Sequence, residues 1–279
     1  MPQFGKRRAF GQHFLRDKNV CRKIAETAVA EARKLDCRVL LEIGPGKGAI
    51  TEPLLDELAA EDGKINEMIV AERDEGLVAF WQGRAKQGVG FPFRVEGGDF
   101  LELAEDRWLA QTPVAVASNL PYSAGTTILV RLARHPEAIP IMVLMFQAEV
   151  ARRLRAERGS KEWGSLSVWI QNRWDVTKLI AVPPGAFSPP PDVDSEVVVL
   201  RRRETPRVPV PRDSASEELW DQLLRVSFAH RRKMLRSGLP ASGPWKKALE
   251  VSGIDPTLRA EALDWAQWTS LYSAVKSAE

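Results

Sequence analysis

The segment that most constrains the fold is residues 40–48, in which the run Leu-Leu-Glu-Ile is followed by Gly-Pro-Gly-Lys-Gly. A short apolar run of this kind predicts a buried strand, and the pattern of residues 50–60 behind it predicts a helix. Glycines allow the backbone to pass close to a ligand because no Cβ stands in the way. In open α/β sheets, ligands bind at the carboxyl ends of the strands. The segment therefore predicts an α/β fold with a nucleotide-like ligand at this turn.

The spacing of the glycines narrows the choice of ligand. Gly44, Gly46 and Gly48 form the pattern G-x-G-x-G, whereas dinucleotide-binding turns have G-x-G-x-x-G. The pattern favours S-adenosylmethionine. On these residues alone, a dinucleotide and a tight turn without a ligand stay open as alternatives.

Further apolar runs alternate with helical patterns over the first part of the chain. We predict strands at residues 38–43, 67–71, 93–96, 114–117 and 139–146, and helices at residues 18–34, 50–60, 126–134 and 149–157. Such alternation is typical of a parallel sheet covered by helices on both faces. The predicted fold class is therefore α/β, with a Rossmann-like sheet.

Prolines mark two breaks in this pattern. Residues 182–193 contain five prolines, which predicts irregular structure, and three more prolines between residues 206 and 211 mark a linker. Helical patterns follow at residues 217–228, 244–252 and 263–276. We therefore predict two domains, an α/β domain at residues 1–204 and a small all-helical domain at residues 205–279.

Two acidic residues stand at the ends of predicted strands. Glu72 ends the strand after the glycine turn, where its carboxylate could accept hydrogen bonds from both hydroxyls of a ribose. Charged hydrogen bonds of this kind contribute about 1.5–3 kcal/mol each. Asp99 follows the next strand and could accept from the exocyclic amine of an adenine. The alternatives are an exposed loop acid for Glu72 and a helix N-cap for Asp99.

The sharpest signal is Asn119-Leu-Pro-Tyr, which follows the fourth predicted strand. The N6 nitrogen of adenine is a poor nucleophile because its lone pair is delocalised into the ring. The side-chain oxygen of Asn119 and a carbonyl near Leu120 and Pro121 could accept its two N–H groups and free the lone pair. Pro121 would keep these acceptors preorganised, and Tyr122 could stack on the base with about 1–3 kcal/mol. We predict a site for methylation of adenine N6.

A base in a folded RNA must leave its stack to reach such a site. Phe187, within the proline-rich segment, is a candidate for stacking on the second face of the base. The alternative is a core phenylalanine beneath a rigid loop.

The distribution of charge says more than the net charge of +3. Residues 1–34 hold nine Lys and Arg against three Asp and Glu. Further basic candidates for RNA contact are Arg152, Arg153, Arg155, Arg231, Arg232 and Lys233. Basic clusters of this kind suit a polyanion. Solvated helix faces are the alternative for each cluster.

Several classes of protein are excluded. The sequence has no run of about 18 apolar residues that would span a membrane, and its basic start lacks the apolar core of a signal peptide. Cys21 and Cys37 lack metal-ligand spacing, and the three histidines are scattered. We expect a cytoplasmic protein without a metal or a membrane partner, and a monomer.

These motifs together resemble the ribosomal RNA adenine N6,N6-dimethyltransferases of the kasugamycin-sensitivity type. The resemblance covers about residues 8–240. It comprises Phe10-Gly-Gln-His-Phe-Leu, Glu42-Ile-Gly-Pro-Gly, Glu72, Gly98-Asp-Phe, Asn119-Leu-Pro-Tyr, Gln147-Ala-Glu-Val-Ala-Arg-Arg-Leu, Gly164-Ser-Leu-Ser-Val, the segment of residues 182–195, and Arg231-Arg-Lys. The resemblance implies a class I methyltransferase sheet followed by the helical domain.

The resemblance also implies roles for individual residues. S-adenosylmethionine would contact Gln12, His13, Leu15, Gly44, Gly46, Glu72, Asp99 and Asn119. Residues 119–122 would hold the target base. The implied substrate is a pair of adjacent adenosines in the hairpin loop near the 3′ end of small-subunit rRNA, each of which receives two methyl groups. The implied partner is the assembling small ribosomal subunit.

Position 13 and the residues after Tyr122 are among the places where the sequence departs from the family; another is Lys47, which puts a cation near the cofactor loop. His13 stands where the family usually has Asn, and Ser-Ala-Gly follows Tyr122 where the family often has Asn-Ile-Ser. Three alternative functions stay open. They are a large-subunit rRNA adenine methyltransferase of the macrolide-resistance type, a ribosome-assembly factor without catalysis, and a methyltransferase for proteins or small molecules. The intact motifs and the basic segments favour the small-subunit enzyme.

Overall fold

A computed structural model of the chain describes residues 13–60, 63–88 and 90–278. Its strands within these residues are β1 Phe14–Leu15, β2 Val39–Ile43, β3 Glu67–Glu72, β4 Phe93–Gly97, β5 Val114–Asn119, β6 Ile141–Gln147, β7 Trp174–Val182, β8 Phe187–Ser188 and β9 Ser195–Arg202. Seven of them form one sheet with the order β4-β3-β2-β5-β6-β9-β7. Strands β2 to β6 pair in parallel, and β9 pairs with β6 in the antiparallel direction. The predicted α/β sheet is therefore present.

Helices follow the strands along the chain. Before and between the sheet strands lie α1 Lys18–Lys34, α2 Thr51–Ala60, α3 Glu75–Gln87, α4 Asp106–Leu109, α5 Gly125–Ala133, α6 Ala148–Leu154 and α7 Ser165–Arg173. After the sheet come α8 Ser214–Phe228, α9 Leu235–Gly238, α10 Trp245–Val251 and α11 Trp265–Lys276. None of the helices in the described ranges is long and apolar enough to cross a membrane.

The sequence explains why β2 lies inside the sheet and α1 lies on its surface. All five residues of β2 are buried, as expected for a central parallel strand covered on both faces. In α1 the buried residues recur at helical spacing, including Val20, Ile24 and Ala28. The Asp17 side chain accepts hydrogen bonds from the first-turn amides of α1 and so fixes where this helix begins.

The two short strands lie outside the main sheet. Strand β1 pairs in the antiparallel direction with β8. Strand β8 lies in the proline-rich segment that we predicted to be irregular, and a 3₁₀ turn, Pro184–Ala186, precedes it. The prediction of irregular structure was therefore wrong for residues 184–188. Strand β1, which is distant in sequence, supplies the backbone partners with which β8 pairs.

The chain divides into two compact units. The first comprises the described residues up to Ala151 together with Thr177–Arg201, and the second comprises Arg152–Val176 together with the residues from Arg202 onward. This division differs from the predicted boundary after residue 204 in its treatment of residues 152–176. The buried side chains of Trp163 and Val168 belong to the apolar cluster of the second unit, which accounts for the difference.

The second unit has an aromatic core of its own. The ring centroid of Trp220 lies 6.0 Å from that of Trp268 and 5.8 Å from that of Tyr272, both in edge-on geometry. Such arrangements are favoured between aromatic rings. A buried ion pair joins Arg173 to Glu217 within the same unit. Trp220 and Trp268 therefore act as core residues of the second unit.

Candidate active site

Because β2, β3, β4 and β5 are parallel neighbours, their carboxyl ends meet at one edge of the sheet. A cavity of about 330 Å³ opens at this edge. Its lining includes His13, Phe14, Leu15, Gly44, Gly46, Glu72, Asp99, Asn119, Leu120, Pro121 and Tyr122. Apart from Gln12, which lies outside the described residues, every residue predicted to bind the cofactor is on this cavity.

The glycine turn after β2 has the conformation that its sequence predicted. Gly44 and Gly46 have φ values of +68° and +53°, in the left-handed region that residues with a Cβ rarely adopt. A Cβ at Gly46 would lie 3.4 Å from the ring of Phe14. The indole nitrogen of Trp81 donates a hydrogen bond to the Gly46 carbonyl at 3.0 Å. The turn is thus rigid, and its backbone borders the cavity.

The Glu72 carboxylate joins the ends of two strands. It is 5% exposed, and its Oε1 accepts hydrogen bonds from the amides of Arg73 and Asp74 at 2.8 and 2.9 Å. Its Oε2 accepts from the Gly46 amide at 3.2 Å. A carboxylate has about four acceptor positions. The three amides fix the orientation of the Glu72 carboxylate, which can still accept a hydrogen bond from a ligand hydroxyl.

The Asp99 side chain lies at the neighbouring strand end and is 41% exposed. Its Oδ1 accepts a hydrogen bond from the Leu101 amide at 3.0 Å, and its Oδ2 lies 3.9 Å from the guanidinium of Arg73. A turn, rather than the first turn of a helix, follows Asp99. The alternative role of a helix N-cap therefore does not apply in this structure.

The Asn119-Leu-Pro-Tyr segment forms another part of the cavity wall, at the end of β5 beside β2. Asn119 is the last residue of β5, and Leu120 is buried. The Tyr122 hydroxyl lies 2.5 Å from the Ser195 hydroxyl on β9. Burial raises the pKa of Tyr122, and the bond to Ser195 opposes that rise. Tyr122 is therefore held in one orientation as a neutral phenol.

His13 connects the short N-terminal strand to this wall. Its Nδ1 lies 2.9 Å from the Pro189 carbonyl oxygen. Because a carbonyl only accepts, Nδ1 is the protonated nitrogen in this contact. The His13 ring centroid is 5.9 Å from that of Tyr122, with a tilt of 30°. The residue that departs from the family pattern thus lies beside the predicted target-base side chain.

The structure contradicts the proposed stacking role of Phe187. This side chain is 1% exposed and belongs to the apolar core of the first unit. It pairs with Leu15 across the two-stranded β1–β8 sheet and does not line the cavity. The reason is that β8 directs the ring inward, so it presents no face to a base. The alternative of a core phenylalanine is the correct one.

The basic residues predicted to contact RNA differ in their surroundings. Arg152, Arg153, Arg232 and Lys233 are exposed, and Arg155 is half-buried. The Arg231 guanidinium donates to the carbonyls of Lys161 and Trp163 and pairs with Glu261, all within the second unit. Arg231 therefore stabilises its own unit.

Sequence reasoning gave no role to Glu42, which also lines the cavity. It is 2% exposed, and its Oε2 has no hydrogen-bond partner within the described part of the chain. Burial raises its pKa to about 8, and the nearby carboxylates of Glu72 and Glu52 add to the rise. In the sequence, the sign of this buried carboxyl is a single acidic residue within the otherwise apolar strand β2.

Known proteins of one family match this chain over nearly its whole length. The family model described as "Ribosomal RNA adenine dimethylase" matches residues 3–277. The chain belongs to this family. Relatives include the ribosomal RNA small subunit methyltransferase A of Syntrophotalea carbinolica, 37% identical over 97% of each chain, and that of Pseudomonas aeruginosa, 36% identical over 96% of this chain and 94% of the relative.

Solved structures agree on the fold. A dimethyladenosine transferase from Plasmodium falciparum superposes with a TM-score of 0.73 and 24% identity, over 95% of this chain and 98% of that chain. The 23S rRNA methyltransferase ErmE superposes with a TM-score of 0.65 and 24% identity, over 94% and 99%. The predictions of a class I methyltransferase fold, an rRNA adenine dimethyltransferase and S-adenosylmethionine as cofactor are confirmed by membership of the dimethylase family.

Proposed function

We propose that this dimethylase transfers methyl groups from S-adenosylmethionine to N6 of two adjacent adenosines in the 3′-terminal hairpin loop of small-subunit rRNA. The observation that carries the proposal is the shared cavity, which Asn119 and Tyr122 line together with the glycine turn, Glu72 and Asp99. One wall has the groups that an adenosine-bearing cofactor needs, and the other has the groups that a target adenine needs.

The cofactor wall fits its ligand on three grounds. Gly44 and Gly46 line the cavity in the left-handed region that favours glycine, and a Cβ at Gly46 would meet the ring of Phe14. Glu72 is oriented by three backbone amides and would accept from the ribose hydroxyls. Asp99 is half-exposed at the next strand end and would accept from the adenine amine. The bound cofactor would supply an electrophilic methyl group on its sulfonium sulfur.

The target wall would activate N6 by position and by hydrogen bonding. Asn119 and a backbone carbonyl near Pro121 accept the two N–H groups, so the nitrogen lone pair is directed toward the methyl group. A preorganised hydrogen-bonding group of this kind typically raises the rate of the chemical step by a factor of about 10²–10³. Tyr122, anchored by Ser195, offers its ring for stacking on the base. The proton leaves to water after transfer, so no strong base is needed.

The proposed partner is small-subunit rRNA within the assembling subunit, bound by a monomer of this chain. Exposed Arg152, Arg153, Arg232 and Lys233 supply phosphate contacts. Relatives that are named small-subunit methyltransferases support this choice. Because phosphate contacts release counterions, the affinity for RNA should fall steeply as salt rises. An affinity that does not change with salt would contradict this mode of binding.

A second candidate substrate is large-subunit rRNA. The observation that favours it is the fold shared with ErmE, a 23S rRNA methyltransferase. The decisive experiment offers tritiated S-adenosylmethionine with separated small and large subunits, both from cells that lack adenine N6 methylation. Mass spectrometry then locates the label. Dimethyladenosine in the 3′-terminal hairpin of the small-subunit rRNA supports our proposal. Label in large-subunit rRNA alone selects the second candidate.

A further inference from the structure

A basic side chain outside the predicted site contacts the loop that carries Asp99. Arg131 lies on α5, the helix that begins at Gly125 shortly after Tyr122. Ile128 on the same helix lines the cavity. Residues three positions apart share a helix face. Arg131 therefore stands one turn beyond the cavity on the face that points toward it.

The Arg131 guanidinium binds the loop after β4 through both of its terminal nitrogens. One terminal nitrogen donates to the Phe100 carbonyl, and the other donates to the Leu103 carbonyl. The guanidinium carbon lies 5.2 Å from the centroid of the Phe100 ring and 5.4 Å from that of Trp108. Both rings are buried, at 4% and 1% exposure. Two hydrogen bonds and one cation–π contact thus fix this short loop, and the second cation–π contact joins Arg131 to α4.

The loop's own turns hold the backbone of Asp99, whose carbonyl accepts hydrogen bonds from the amides of Glu102 and Leu103 at 2.9 and 3.1 Å. Gly98 has a φ of +132°, and residues 100–103 form turns and a bend. Within the loop, the Asp99 carboxylate accepts only the Leu101 amide among the contacts at hydrogen-bond distance in the described residues. We propose that Arg131 is a positioning residue, which fixes the loop so that Asp99 meets the exocyclic amine of the cofactor's adenine.

The inference deepens the proposed function because it rests on the role given there to Asp99. It adds a physical connection between the two walls of the cavity. Helix α5 follows directly from the target-base segment, and its Arg131 holds the adenine-binding loop. A planar guanidinium can donate to two carbonyls at once, whereas the ammonium of lysine acts as a point charge. Arg131→Lys should therefore hold the loop only in part, so its effect on binding should lie between that of the wild type and that of Arg131→Met.

The test uses isothermal titration calorimetry with S-adenosylhomocysteine and with S-inosylhomocysteine, which has a carbonyl in place of the exocyclic amine. We expect the wild-type protein to prefer S-adenosylhomocysteine by about tenfold or more, the value of one charged hydrogen bond. Arg131→Met should reduce this preference to about that of Asp99→Ala. The variant that combines Arg131→Met with Asp99→Ala should show no further reduction of this preference. Arg22→Met, an exposed position on α1, is the control and should keep the wild-type preference.

The ratio of the two affinities is measured within one folded protein, so a loss of stability alone does not change it. An Arg131→Met protein that keeps the wild-type ratio overturns the inference, as does an equal loss of affinity for both ligands. Wild-type protein that binds neither ligand would instead overturn the proposed function itself. An Asp99→Ala variant with the wild-type ratio would overturn the role of Asp99, and the inference with it.

Discussion

Glu42→Gln should stabilise the protein at neutral and alkaline pH, although it removes a residue from the cavity. Glu42 is buried in strand β2 with an unpartnered Oε2, and burial raises its pKa from the ordinary value of 4.5 to about 8. The carboxyl is therefore protonated in the folded protein over a pH range in which the unfolded chain has ionised it. Glutamine has nearly the same shape and does not titrate.

The direction of the effect follows from proton linkage. Below pH 4.5 both states carry the proton, and Glu42 imposes no penalty. Between pH 4.5 and about 8, the unfolded chain is stabilised by ionisation while the folded chain is not. Each pKa unit is worth about 1.36 kcal/mol, so the penalty reaches about 3 kcal/mol at pH 7 and about 5 kcal/mol above pH 8. Stability that is present at low pH is thus lost as the pH rises.

The assay is urea unfolding of wild-type and variant proteins from pH 5 to pH 8.5. The free energy of unfolding of Glu42→Gln minus that of the wild type should grow by about 4 kcal/mol over this range. Glu26→Gln, an exposed position on α1, should change the free energy by less than about 0.5 kcal/mol at every pH. A constant difference for Glu42→Gln would show that the folded protein ionises this carboxyl, which would refute the reasoning.

Three further predictions concern single contacts. Gly46→Ala places a Cβ 3.4 Å from an aromatic ring at a φ of +53°, so it should lose about 1–2 kcal/mol in urea unfolding and weaken S-adenosylhomocysteine binding in calorimetry. Ser195→Ala frees the Tyr122 hydroxyl and should lower kcat about three- to tenfold in methyl-transfer assays with unchanged cofactor affinity. Arg173→Met removes the 2.8 Å partner of the buried Glu217, which keeps its 2.9 Å contact with the more exposed Arg212, so the free energy of unfolding measured in urea should fall by about 1–3 kcal/mol.

The central strands could be predicted from the sequence, whereas an edge strand could not. Strand β2 is a continuous apolar run because both of its faces are buried. Strand β7 stands at the end of the sheet, and most of its residues are exposed or half-buried, so its sequence lacks a clear apolar pattern. Helix α3 was also missed, since it contains two glycines and buries only Leu77 and Trp81.

The same distinction holds for the site. Glu72 and Asn119 could be placed because parallel strands bring their ends to one edge, whatever the connections between them. The partner of Tyr122 could not, because Ser195 is 73 residues away on an antiparallel strand. The inward direction of Phe187 likewise depends on the pairing of β1 with β8, which no local pattern reveals. Local motifs predict which residues meet, and long-range pairing decides their orientation.

The central claim is that Asn119 activates the target adenine, on a cavity in which the other predicted cofactor residues suffice to bind the cofactor. The most direct measurement compares Asn119→Ala with Asn66→Ala, an exposed control, by calorimetry with S-adenosylhomocysteine and by methyl transfer to unmethylated small subunits. The account predicts that Asn119→Ala keeps cofactor affinity within about threefold and loses about 10²–10³ in the rate of transfer, while the control changes neither. Transfer at the wild-type rate by Asn119→Ala would contradict it.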